Sequence, residues 1–356
     1  MQHDRRIQTM FGIDLPIIQA PMAGAQGSAM AVAVSEAGGL GSLPAALMSR
    51  DTLRAELGII RQRTSRPVNV NFFCHRPPAP DAAREAGWRA RLAPYYAELG
   101  IDPAAPVPAS NRAPFDADFC AVVEEFRPEV VSFHFGLPAP DLLDRVKATG
   151  AKVVSSATTS DEARWLEDHG ADAIIAQGAE AGGHRGIFLT DDIGNQPGLF
   201  ALLPQVVDAV EVPVIAAGGI ADARGIVAAF ALGASAVQLG TAYLFTPEAT
   251  ITPMHRAALK AAKDDGTALT NLFTGRPARG LMNRIMREAG PVSVEAPAFP
   301  TAGGALMPLK AKAEAAGSAD FSSLWSGQAA ALGREMGAGE LTRALWNETL
   351  ERLRQG

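Results

Sequence analysis

Eight short apolar runs punctuate the chain: Pro16–Met22, Leu40–Leu43, Val68–Phe73, Val130–Gly136, Lys152–Ala157, Ala173–Gly178, Val214–Gly219 and Ala236–Gly240. Runs this short and this apolar suit strands buried on both faces. Stretches with helical spacing lie between them, among them 29–37, 50–63, 141–149 and 160–169. Thr159-Ser160-Asp161-Glu162 reads as a capped helix start, and Gly170 as its stop. Such alternation implies right-handed βαβ units and a parallel sheet. Eight units in series predict a closed TIM (β/α)8 barrel rather than an open doubly wound sheet.

Two stretches stand outside the repeat. Residues 74–114, rich in Pro, Ala and Arg and holding Trp88, Tyr95 and Tyr96, read as an insertion after strand 3. The barrel repeat therefore runs over 1–245, and 246–356 carries helical patterns at 254–264, 280–288, 304–316 and 338–354. These patterns predict a small, mostly helical subdomain packed over the C-terminal mouth of the barrel, where active sites of this architecture lie.

Length and composition agree. The 356 residues exceed the roughly 250 of one barrel, leaving room for the two additions. Apolar residues make up 47% and charged residues 20%, the balance of an ordinary globular protein. A net charge of -6 gives no nucleic-acid footprint. No run is long enough to span a bilayer and the start lacks a signal-peptide pattern, so the expectation is a soluble cytoplasmic protein, monomer or homodimer. The two cysteines, Cys74 and Cys120, have no metal-ligand spacing, and no metal site is expected.

In a barrel, the residues closing the strands face the site. Here they are Met22, Asn71, His134, Ser156, Gln177, Gly218, Gly219, Gln238, Gly240 and Thr241. The glycines of the last two units let backbone N–H groups approach a phosphate, and the helix starting near Asp222 favours an anion. After strand 6 comes Gln177-Gly178-Ala179-Glu180-Ala181-Gly182-Gly183-His184-Arg185-Gly186. Two glycines before a histidine bring an imidazole to the mouth, where it can exchange protons near neutral pH. The competing reading of His184 is a hydrogen-bond partner for a ligand phosphate or a loop carbonyl. His134, between Phe133 and Phe135, is a second candidate, either to orient a substrate or as a satisfied core residue. No GxGxxG after a first strand, no Walker loop, no HExxH and no CxxC occurs.

At these residues the sequence resembles the nitronate monooxygenases, class I type. The resemblance rests on Gln19-Ala20-Pro21-Met22-Ala23-Gly24, on Asn69 to Phe73, on Ser132-Phe133-His134-Phe135-Gly136, on Gln177 to Gly186, on Ala216–Ile220 and on Gln238–Thr241. It implies a non-covalent FMN. By analogy Ala20, Pro21 and Met22 would line its ring system, with Asn71, Gln177, Gly182 and Gly183 beside the ring or ribityl chain. Gly218, Gly219, Gln238, Gly240 and Thr241 would hold the phosphate. Leu324-Trp325-Ser326-Gly327-Gln328 resembles a family segment that would bring Gly327 and Gln328 to the same phosphate. The implied reaction is oxidation of an alkyl nitronate, such as propionate 3-nitronate, by O2 to a carbonyl compound and nitrite. His184 would act as base toward a neutral nitroalkane.

One departure stands out. Class I members tend to carry tyrosines and a lysine around the C-terminal gate, whereas this chain reads Ala298-Phe299-Pro300-Thr301-Ala302-Gly303-Gly304, with Lys310 or Lys312 as candidates for the lysine. An FMN-dependent NAD(P)H:quinone or enoyl reductase on the same barrel is the alternative reading.

Overall fold

The computed structural model describes residues 4–104, 106 and 112–355. Helix α1 (Arg6–Phe11) precedes β1 (Ile17–Gln19), α2 (Ser28–Glu36), β2 (Gly41–Pro44), α3 (Arg50–Arg63) and β3 (Val68–Phe73). The crossover after β3 holds α4 (Ala82–Glu98) and α5 (Ala117–Phe126). Then follow β4 (Val130–His134), α6 (Pro140–Ala148), β5 (Lys152–Ala157), α7 (Ser160–Asp168) and β6 (Ala173–Gln177). A two-residue strand, β7 (Gly183–His184), interrupts the series before α8 (Leu199–Val207), β8 (Val214–Ala217), α9 (Ala223–Ala231) and β9 (Ala236–Leu239). The C-terminal part holds α10 (Pro253–Lys260), β10 (Thr267–Thr270), β11 (Ala278–Leu281), α11 (Arg284–Glu288), α12 (Met307–Ala315) and α13 (Ala338–Gln355).

Strands β1–β6, β8 and β9 form one parallel sheet in the order β1-β9-β8-β6-β5-β4-β3-β2. A parallel bridge between Ile18 and Leu40 joins its two ends. This is the TIM barrel that the repeat predicts. Alternation along the strands sorts the side chains. Val68, Val70 and Phe72 of β3 pack outward with Leu53, Leu57 and Phe119 from the helices, which leaves Asn71 and Phe73 pointing inward. Inside, Ile18, Val130, Val154, Ile175 and Ile215 form a core closed at the N-terminal end by Ile7 and Phe11 of α1. The plugged bottom leaves the C-terminal mouth as the open end.

The additions build a second core over that mouth. Trp88, Leu92 and Tyr96 of α4 pack with Leu272, Phe273, Ile285, Leu309 and Phe321 from the C-terminal part. The Trp88 indole N–H donates to the Ala302 carbonyl at 3.0 Å, and the Tyr96 hydroxyl to the Ala305 carbonyl at 2.6 Å. The stretch read as an insertion thus shares a core with the C-terminal part, and its residues 105 and 107–111 lie outside the described ones.

Two details differ from the sequence pattern. The helical spacing over 280–288 opens with strand: β11 pairs antiparallel with β10 and, on its other edge, with β7. Helix begins only at Arg284, where the Asn283 side chain accepts from the Met286 N–H. Nor does all of 246–356 cover the mouth. Leu341 and Leu345 of α13 pack on the outer wall with Met30 and Val34 of α2, and the Tyr243 and Thr342 hydroxyls lie 2.7 Å apart.

Candidate active site

Between the barrel mouth and the lid lies a cavity of about 400 Å³, within the range of small-molecule and cofactor sites. The inward positions at the strand ends line it: Asn71, Ser132, His134, Ser156, Gln177 and Gln238. The β1–α2 loop adds Ala20, Pro21 and Met22, and the glycine-rich segments add Gly182, Gly183, Gly218, Gly219, Gly240, Thr241 and Gly327. His184 lines it as well. Gln328 does not: it is exposed, and its backbone N–H donates to the Glu180 carbonyl at 3.0 Å. Gln328 thus clamps the Glu180 loop by its backbone.

One end of the cavity is a cradle of bare backbone. Gly218 and Gly219 have φ of 117° and 68°, values that only glycine adopts readily. A Cβ on Gly182 would fall 2.5 Å from the Gly327 nitrogen, and one on Gly327 would fall 2.8 Å from the Glu180 carbonyl oxygen. Three segments thus meet with no room for side chains, the form of a backbone anion nest. The Thr241 hydroxyl oxygen accepts from the Gly327 N–H at 2.9 Å. The α9 terminus plays a smaller part than the sequence predicts, because Asp222 takes the N–H groups of Arg224 and Gly225 at 2.9 and 3.3 Å. The Gln238 side chain lines the cavity with no hydrogen-bond partner among the described residues.

His184 also lines the cavity, held by its backbone and its ring. Its carbonyl oxygen accepts from Gln177 Nε2 at 2.9 Å and from His134 Nε2 at 3.1 Å. Gln177 Oε1 accepts from the Gly186 N–H at 2.7 Å, so both ends of this amide are spent on the loop. The buried Arg185 guanidinium donates back to the carbonyls of Gln177 and Gly178 at 2.7 and 2.5 Å. Further on, Glu162 accepts from the N–H groups of Phe188 and Leu189 at 2.6 and 3.2 Å. The flexibility that glycines give the segment is removed by these contacts.

The imidazole of His184 sits among Phe73, Phe135, Phe299 and Trp325, with centroid distances of 5.9, 6.0, 5.4 and 5.6 Å. Burial pushes its pKa well below the usual histidine value, and nearby Arg112, His134, Arg276 and His75 push it further down. His184 is therefore neutral. His134, also driven down by burial, to about 4, is neutral too. A carbonyl can only accept, so His134 Nε2 carries the hydrogen, and Nδ1 takes the hydrogen bond from the Ser156 hydroxyl at 3.1 Å. Both nitrogens of His134 are thereby occupied within the protein.

Sequence reasoning did not find Thr274, whose Oγ1 lies 3.0 Å from His184 Nε2. Nor did it find Arg276, whose guanidinium lies 4.2 Å from the Phe135 ring centroid, or Arg279, which donates to the Ala179 carbonyl at 2.8 Å. All three belong to the β10–β11 hairpin, which carries no motif. Of the two candidate gate lysines, Lys310 lines the cavity and Lys312 is exposed. Among the described residues no cluster of His, Cys, Asp and Glu is placed to hold a metal ion, and no helix is long and apolar enough to cross a membrane.

A TIM barrel with a glycine cradle and a histidine at its lidded mouth has the form of a barrel enzyme that takes a phosphorylated ligand. Comparison with known proteins narrows the class. The family model for nitronate monooxygenase matches residues 4–348. A nitronate monooxygenase of Pseudomonas aeruginosa is 45% identical, the match covering 96% of this chain and 98% of that protein. The crystal structure of nitroalkane oxidase from Streptomyces ansochromogenes superposes with a TM-score of 0.88 at 40% identity, covering 98% of this chain and 99% of that one. FabK from Thermotoga maritima superposes with a TM-score of 0.74 at 29% identity, covering 100% and 98%. The chain belongs to the nitronate monooxygenase family.

Proposed function

We propose that the protein binds FMN in the mouth cavity and oxidises alkyl nitronates with O2 to a carbonyl compound and nitrite, with His184 as the base that admits neutral nitroalkanes. The observation that carries this reading is the pairing of a side-chain-free glycine cradle with a neutral, half-buried imidazole in one cavity. The residues fit the cofactor. Gly182, Gly218, Gly219 and Gly327 would hold the phosphate by backbone, Thr241 and Gln238 would add polar contacts, and Ala20, Pro21 and Met22 would lie along the ring system. Bound there, FMN supplies the electron relay between the nitronate and O2.

The chain's own residues do the rest. His184, uncharged, takes the α-proton of a nitroalkane, leaving the nitronate anion with its charge on the nitro oxygens. The Arg112 and Arg276 side chains, both close enough to act on His184 electrostatically, favour that anion over the neutral compound. Phe73, Phe135, Phe299 and Trp325 surround the imidazole and limit the access of water. In the overall reaction two nitronates consume one O2: in each the C–N bond breaks, the carbon takes one oxygen atom as the carbonyl, and nitrogen leaves as nitrite.

A reductase on the same barrel is the competing reading. Purified protein supplied with FMN and a simple alkyl nitronate in air is expected to release nitrite. Failure to do so, with rapid NADH consumption in the presence of a quinone, would favour the reductase.

A further inference from the structure

The tip of the β10–β11 hairpin reaches the imidazole of His184 from 90 residues further along the chain. Thr274 stands there, 1% exposed, and its Oγ1 has three neighbours. They are His184 Nε2 at 3.0 Å, the Arg276 carbonyl oxygen at 3.2 Å and the Arg276 N–H at 3.4 Å. A hydroxyl has one hydrogen to give and two lone pairs to receive with. The Arg276 carbonyl can only accept, and no other side chain among the described residues donates to it, so the hydroxyl hydrogen goes there. The lone pairs then take the Arg276 N–H and, from His184, an Nε2–H.

We infer that Thr274 is a positioning residue that fixes His184 in the Nε2–H tautomer, so that Nδ1 is the nitrogen presented to the substrate's α-proton. This rests on the reading of His184 as the base. Nδ1 has no hydrogen-bond partner among the described residues, yet it is absent from the buried polar atoms sealed off without one. It therefore opens into the cavity that His184 lines. Once Nδ1 has taken the proton, the imidazolium still gives its Nε2–H to Thr274, so the ring need not turn. The same hairpin sets the backbone. Ala278 of β11 pairs with His184 of β7, and the Arg185 N–H donates to the Pro277 carbonyl at 2.8 Å. The lid thus aims the base by main chain and side chain together.

The inference is tested on the full-length protein labelled with 15N-histidine, using long-range 1H–15N spectra in which His184→Asn assigns the signal. Wild type and Thr274→Ser are expected to show His184 protonated at Nε2 and bare at Nδ1, and Thr274→Val to lose that preference. Kinetically, Thr274→Val is expected to slow oxidation of a neutral nitroalkane by about 10- to 100-fold. It should leave oxidation of the preformed nitronate within about twofold, and Thr274→Ser should restore the loss. The groups facing His184 (Arg112, His134, Arg276 and His75) are unchanged in these variants, so a displaced acid limb in the nitroalkane pH profile of Thr274→Val reports loss of the Thr274 contact, and the spectra report the tautomer. Protonation at Nδ1 in the wild type, or an unchanged tautomer in Thr274→Val, overturns the inference, as does equal loss on both substrates. A wild type that oxidises neither substrate fails the proposed function instead, and the spectra still decide the tautomer.

Discussion

His134 gives its Nε2–H to the carbonyl oxygen of His184 across 3.1 Å, so the two histidines are joined through main chain. A Cβ on the neighbouring Gly186 would lie 3.1 Å from the His134 ring, so the loop rests on that imidazole. This makes His134 a support of the base, with no proton to exchange. His134→Ala is expected to lower kcat/KM for a nitroalkane about tenfold by loosening the loop, with the acid limb of the pH profile in place. Profiles of kcat/KM against pH for variant and wild type check this. Loss of that limb would move proton transfer to His134.

Removal of the base separates the two substrate forms. His184→Ala is expected to cut kcat/KM for a nitroalkane by about 10²- to 10⁴-fold, the usual worth of a positioned general base. Turnover of the preformed nitronate, which has no α-proton to surrender, should fall by less than about tenfold. Parallel assays on the two forms of one compound measure the difference.

Protonation should also shape stability. His75 and His134 are both held down to about 4, chiefly by burial, whereas the unfolded chain takes up protons on histidine near pH ~6.5. Between those values the unfolded state binds more protons, so stability falls as pH drops through the window and is held above it. Each group adds a slope of up to about 1.4 kcal/mol per pH unit. Urea midpoints at about pH 7 and about pH 5 check this; the acid midpoint should be lower.

The sequence carried the barrel plainly because its strands are short, apolar and closed by polar residues that only the mouth can accept. Asn71, His134, Gln177 and Gln238 follow from alternation alone, since their immediate neighbours along each strand face the helices. The β10–β11 hairpin was hidden for the opposite reason. Thr267–Thr270 and Ala278–Leu281 are four-residue strands without alternation, and Leu281, Ile285 and Met286 share a helical spacing that the pairing of β11 with β7 overrides. Thr274 and Arg276 lie in no motif, and only the fold brings them to His184. The role of the Trp88 segment was equally illegible, because its partners Leu272, Ile285 and Phe321 come from the far end of the chain.

The glycine cradle allows a contrast between two alanine substitutions. Gly182→Ala would set a Cβ 2.5 Å from the Gly327 nitrogen and should weaken FMN binding by at least about tenfold, a cost of about 1.4 kcal/mol. Gly58→Ala lies in α3 with nothing within 4 Å of the added Cβ and should leave FMN binding unchanged while adding up to about 1 kcal/mol of stability. Titration of each protein with FMN, followed by quenching of flavin fluorescence, reads both.

The proposed reaction turns on electrons passing from a nitronate to a flavin held in the barrel mouth. Mixing the FMN-loaded protein with an alkyl nitronate in the absence of oxygen measures this directly, through the visible absorbance of the flavin. Bleaching by the nitronate, reversed by admitting air and not produced by NADH, is the expected result. A protein that retains no flavin, or whose flavin is bleached by NADH and left untouched by the nitronate, would contradict it.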